Sequence, residues 1–165
     1  ILAGGSEAEV NRTEFRLKRL SGVMLFLDGS TPAVRAGVDK MESIIDQVAR
    51  GVKEMANADE LVELYTFLVS GAHQVYVDMI NGDRPTAFIY LRKELYYLWR
   101  YTELKNAGNE KMKESKLMDV TRQYYSIMDF ESPQYLNVYK PYVEKLGKNY
   151  VAPGVVPASN SGTNR

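Results

Sequence analysis

TPAVRAGVDKMESIIDQVARGVKEM, residues 31–55, decides the fold class. Its apolar residues Val34, Val38, Met41, Ile45, Val48, Val52 and Met55 alternate steps of four and three. That 3.5-residue repeat keeps one face of an α-helix against a nearly parallel neighbour, which is the seam of a bundle or coiled coil. Asn57 to Asp59 reads as a break or kink, and a second seam continues the pattern through Leu61, Leu64, Leu68, Ala72, Val75 and Met79.

Upstream, Ser6 with Glu9 three residues on forms a capping-box pattern. Val10, Leu17, Leu20, Met24 and Leu27 then recur at the spacing of an amphipathic helix. Asp28-Gly29-Ser30-Thr31-Pro32 ends it and opens the next, with Pro32 suited to a first helical turn. Downstream, Asn81-Gly82-Asp83-Arg84-Pro85 is a turn. A fourth helix follows with Phe88, Leu91, Leu95 and Leu98 expected inward, closed by Asn106-Ala107-Gly108. Asn109 to Lys116 reads as a solvated linker or frayed turn. A fifth helix carries Leu117, Val120, Tyr124 and Ile127, and a short sixth carries Leu136, Tyr139, Val143 and Leu146. The expected architecture is all-α: an up-and-down, four-helix-type bundle with additional N-terminal helices, one domain over residues 1–147, and an extended tail over 148–165.

Composition narrows the function classes. The chain has 165 residues, 45% hydrophobic and 25% charged, which is ordinary globular usage. Lys plus Arg and Asp plus Glu number 21 each, so the basic excess of a duplex binder is missing and no nucleic-acid partner is expected. There is no Cys, hence no disulfide, thiolate metal site or Cys nucleophile. The longest fully apolar run, Val23 to Leu27, is far short of the ~20 residues that span a bilayer. Ile1 to Gly5 fits a stub left by a removed signal as well as a plain start.

No catalytic, cofactor or metal site is expected. His73 is the only His and lacks a Glu three residues before it, so the Glu-x-x-His ligand set of a metal-binding bundle is missing. His73 is expected at a helix surface or core edge. No phosphate-binding, dinucleotide-binding or nucleophile-elbow loop occurs. Arg12, Arg16 and Arg19 share one face of the first helix, either a solvated basic stripe or a docking face for an acidic surface. Tyr90, Tyr96, Tyr97, Trp99 and Tyr101 crowd the fourth helix. With Leu91, Leu95 and Leu98 turned to the core, Tyr90, Tyr97 and Tyr101 would lie to one side. They would serve either as interface groups or as core-edge packing.

The segment Met79-Ile80-Asn81-Gly82-Asp83-Arg84-Pro85, then Leu91-Arg92, then Tyr97-Leu98, resembles the PsbQ family, the extrinsic lumenal subunits of photosystem II. The resemblance covers about residues 60 to 147. Arg84 stands where that family has Trp before the Pro, and residues 6 to 56 have no counterpart in it. The resemblance implies a non-catalytic four-helix bundle on the thylakoid lumen side, peripheral to the membrane and without a functional metal. Such subunits shield the proteins around the manganese–calcium cluster. Together with the resemblance, the aromatic helix offers Arg92, Tyr97, Trp99, Arg100 and Tyr101, and the basic stripe of the first helix offers Arg12, Arg16 and Arg19, as candidate docking residues towards other subunits of a membrane-associated complex. Other readings are a lumenal subunit of the chloroplast NADH-dehydrogenase-like complex, a self-assembling coat or filament protein, and a carrier or enzyme with a pocket inside the bundle.

Overall fold

The computed structural model describes residues 7–49, 57–133 and 135–146. The second half of the first seam, Val52 and Met55, lies outside the described residues, as do Ser6 and the tail from residue 148. The described chain is all-α. Helix α1 spans Glu7–Asp28, α2 Thr31–Ala49, α3 Ala58–Met79, α4 Arg84–Lys105 and α5 Glu110–Tyr124. A 3-10 turn, Tyr125–Ile127, and a π-helical turn, Tyr135–Tyr139, lead to α6, Lys140–Leu146. Helices adjacent in sequence pack as neighbours from α1 to α6. This is the up-and-down succession that short connections enforce.

Side-chain caps set where the helices begin. Asn57 accepts a hydrogen bond from the Glu60 amide at 2.9 Å, Asp83 from that of Thr86 at 3.1 Å, and Asn109 from that of Met112 at 3.1 Å. Each occupies one of the otherwise unpaired first-turn donors. The Asn109 cap starts α5 at Glu110, so residues 110–116, expected as a solvated linker or frayed turn, are regular helix. Gly108 makes the turn before it at φ 84°, where a Cβ would be strained. Pro141, the second residue of α6, follows directly on the π-helical turn and cannot donate a backbone hydrogen bond back into it.

Most of the described seam positions of α2 and α3 are buried, with Ile45, Leu61 and Met79 only partly covered. Val34, Val38, Met41, Leu64, Leu68, Ala72 and Val75 are completely buried. Ile44 also reaches full burial, whereas its neighbour Ile45 is only partly covered. The 3.5 repeat assigned that role to Ile45; the buried face of α2 also includes Gly37, packed on Gly22 and Phe26 of α1, and Ile44 stands two turns further along that side.

Helix α1 packs with the opposite face to the one its apolar spacing suggested. Phe15 is fully buried, with Val23 and Phe26 beside it, while Val10, Leu17, Leu20, Met24 and Leu27 are 57–80% exposed. Small residues decide this. A Cβ on Gly37 of α2 would lie 3.2 Å from the Gly22 carbonyl and 3.2 Å from the Phe26 ring, so the two glycines let α1 and α2 approach closely. A Cβ on Gly71 of α3 would meet Phe26 Cζ at 2.8 Å and Val38 Cγ2 at 3.0 Å. Phe26 therefore fills a slot that only glycine leaves open, stacked on Phe67 at 6.0 Å.

Helix α4 departs most from its apolar pattern. It belongs to two cores at once. Tyr90 and Tyr97 enter the core shared by α1 to α4, whereas Leu95 and Trp99 enter a second core with Leu117, Met128 and Tyr139. The expected inward residues Phe88, Leu91 and Leu98 are only half-buried. Aromatic residues win the central positions because they fill more volume on a helix covered from both sides.

Two measurements check this packing. Ile44→Ala should cost about 2–5 kcal/mol in chemical denaturation, clearly more than Ile45→Ala, because only Ile44 leaves a closed cavity. Gly71→Val should cost about 1–3 kcal/mol by overpacking against Phe26. A stability equal to that of the parent chain would mean Phe26 does not occupy the slot.

Candidate docking surfaces

The docking residues expected from sequence do not form one surface. Trp99 is fully buried and Tyr97 nearly so. Trp99 meets Tyr139 at 5.1 Å and Tyr142 at 4.9 Å, both nearly perpendicular to the indole. Edge-to-face rings of this kind are core packing, so Trp99 and Tyr97 are removed from the exposed candidates. Tyr101 is half-buried against the first core. Arg100 is engaged within its own helix, Nη1 lying 2.6 Å from Glu103.

The basic face of α1 is also partly spent inside the molecule. Arg16 lies 3.8 Å from Glu60 and Arg19 pairs with Glu63, both across to α3. Pairs this exposed contribute little stability each, but they orient α1 on α3. Arg12 and Arg92 remain as exposed basic residues of the candidate set.

Arg92 stands at a groove of about 510 Å³ between α2, α4 and the segment after α5. Glu42, Asp46, Tyr96, Ile127, Asp129 and Tyr139 also line it. Its one organised cluster ties α2 to α4. Lys93 donates to both Glu42 oxygens, at 2.6 and 2.7 Å, and the Tyr97 hydroxyl donates to the same carboxylate. The groove's best-placed polar groups thus satisfy one another, a structural role rather than a waiting site.

A buried carboxylate on α4 was not singled out from sequence. Glu94 is 6% exposed and lies 3.2 Å through both oxygens from His73 Nδ1 on α3. Burial raises the Tyr124 phenol, and the Glu94 carboxylate beside it adds to the rise. His73 sits exposed at the rim of this contact. Glu94 was legible only as a carboxylate in an aromatic-rich face. Among the described residues, no group of three or more His, Cys, Asp or Glu is placed to hold a metal ion. Among them, too, no helix is long and apolar enough to cross a membrane.

One face of α1 carries five exposed large apolar residues, Val10, Leu17, Leu20, Met24 and Leu27. These five are in line along a helix of 22 residues, not scattered. A contiguous apolar stripe is the usual mark of an interaction surface. The sequence shows the stripe as the apolar side of an amphipathic helix, without its direction. Only the packing of Phe15, Gly22 and Phe26 reveals that it faces out.

With fold and surfaces in hand, comparison with known protein families, characterised proteins and solved structures finds no match to this chain.

Burial raises four phenols, Tyr65, Tyr124, Tyr139 and Tyr142, with Tyr139 the furthest. The unfolded chain would ionise near the ordinary value of 10.0 while the folded chain keeps its protons. Stability from these groups is therefore intact below about pH 10 and falls above it. Tyr139→Phe should move the alkaline unfolding midpoint, followed by circular dichroism, to higher pH. An unchanged midpoint would place the Tyr139 hydroxyl in water.

Proposed function

We propose that this chain is a non-catalytic docking subunit, a rigid helical bundle that works by presenting surfaces to other proteins. The observation that carries this reading is the apolar stripe of α1, five large side chains that the bundle leaves uncovered. A monomer gains solubility by hiding such residues, so their alignment on one face has a use in contact with something else.

The assembly we propose is the lumenal side of a photosynthetic membrane complex, photosystem II foremost, with the chloroplast NADH-dehydrogenase-like complex as the related alternative. The support is the resemblance of Met79 to Pro85, Leu91-Arg92 and Tyr97-Leu98 to the PsbQ family. Those residues form the α3–α4 hairpin, whose turn is exposed and whose second helix starts at the Asp83 cap. The stripe also suits a self-assembling coat or filament subunit, the reading from a different class.

Fractionation decides between them. The chain should be found inside thylakoids, with photosystem II-enriched membranes. Because apolar contacts are not screened, it should stay bound in about 1 M salt, where the Debye length is ~3 Å. Leu20→Glu should make it extractable without changing its helix content. Recovery in filaments or capsids, or as a free soluble species at low salt, would overturn the proposal.

A further inference from the structure

We infer that α1 is a self-association surface, its exposed stripe pairing antiparallel with the same stripe of a second copy of this chain. This rests on the reading of the stripe as an interface and names its occupant. The outward positions are Val10, Thr13, Leu17, Leu20, Met24 and Leu27, spaced three and four apart alternately. They lie on the face opposite Phe15 and Gly22, which are buried in the bundle. A 3.5-residue seam is what a second helix requires at a crossing near 20°.

The seam is also symmetric end to end. Run antiparallel, Val10 meets Leu27 of the second copy, Thr13 meets Met24, and Leu17 meets Leu20. Every layer is filled, and none overhangs. A twofold axis requires this self-complementarity, because the same patch must serve both sides.

Charge favours the antiparallel sense. A parallel pair would set Glu9 of one copy against Glu14 of the other. The antiparallel twofold instead brings like flank to like flank, so Glu14 of the second copy arrives beside Ser21. There Lys40 of α2 already donates to the Ser21 hydroxyl at 2.6 Å. Lys40 and Ser21 border the shallow groove that runs along Leu17, Leu20 and Met24. Glu14 would then lie between Lys18 of its own helix, 2.5 Å away, and the other copy's Lys40. At the two ends Glu7 approaches Asp28 of the second copy, an exposed like-charge contact that limits the affinity. The flanks Glu9, Glu14 and Asp28 against Arg16 lack the basic excess that draws a helix to an anionic membrane. Because α1 is already folded on the bundle, pairing costs no helix ordering.

The absence of Cys makes the test clean. Sedimentation equilibrium of the full chain should give twice the 18.7 kDa of one copy. Leu17→Glu with Leu20→Glu should give a single copy, with helix content unchanged by circular dichroism. An oxidised equimolar mixture of Val10→Cys and Leu27→Cys chains should form one cross-linked heterodimer. Neither variant should cross-link alone, since like positions then lie about 25 Å apart along the helix and a disulfide spans far less. A parent chain that stays at one copy near about 100 µM overturns the inference, and so does self-cross-linking of the Val10→Cys chain. If the parent is a single copy yet the double Glu variant loses its place on the complex, the docking reading survives and self-pairing falls. If the parent is a dimer and that variant still docks normally, self-pairing stands and the stripe's docking role falls.

Discussion

Burial of α4 on two sides is the constraint on which the rest of the structure depends. Its Tyr90 and Tyr97 close the core of α1 to α4, and its Leu95 and Trp99 close the core of α5, α6 and the turns before them. Neither core is complete without this helix. Trp99 is the largest fully buried side chain and stands between the rings of Tyr139 and Tyr142. The second core is small and built from short helices, which have little stability of their own in water. Its order therefore comes from packing on α4 rather than from helix propensity.

Polar contacts on the flanks of α4 hold it in register. Glu42 of α2 receives Lys93 and Tyr97, and Glu94 receives His73 of α3 with Tyr124 of α5 near by. Both carboxylates lie where apolar burial alone would tolerate sliding. Sliding would break these hydrogen bonds, and at Glu94 it would leave a buried carboxylate unsatisfied. The helix that the sequence marks as rich in interface-type residues is thus the structural centre, and its Tyr and Trp are used up by the fold. The uncovered apolar stripe lies at the other end of the chain, on α1.

Helix α1 is held on its neighbours by the absence of side chains. Gly22, Gly37 and Gly71 allow a close approach that seats Phe15 and Phe26 inward. Its ion pairs to Glu60 and Glu63 fix the rotation about its own axis. The consequence is a straight apolar seam turned to solvent, on a helix that is already formed. Docking through such a face would ask for no folding on encounter, which separates this surface from a segment that orders only when bound.

The all-α class and the helix succession were legible in the sequence, because periodicity is a local property, whereas the caps Asn57, Asp83 and Asn109 read there only as break, turn and linker. The seams of α2 and α3 name the centre of each buried face, but miss Ile44, Tyr65 and Gly71 beside it and include Ile45, Leu61 and Met79, which are only partly covered. The turn Asn81 to Pro85 marks the start of α4, which opens inside it at Arg84. What periodicity cannot give is direction. A helix with apolar residues on one side and Phe15, Gly22 and Phe26 on another offers two faces for burial, and the choice is made by which face matches the neighbour's shape. Likewise an aromatic-rich helix can serve as an interface or as the middle of two cores. Only the three-dimensional arrangement of α5 and α6 on its far side decided that it is the latter, because burial depends on what else arrives there.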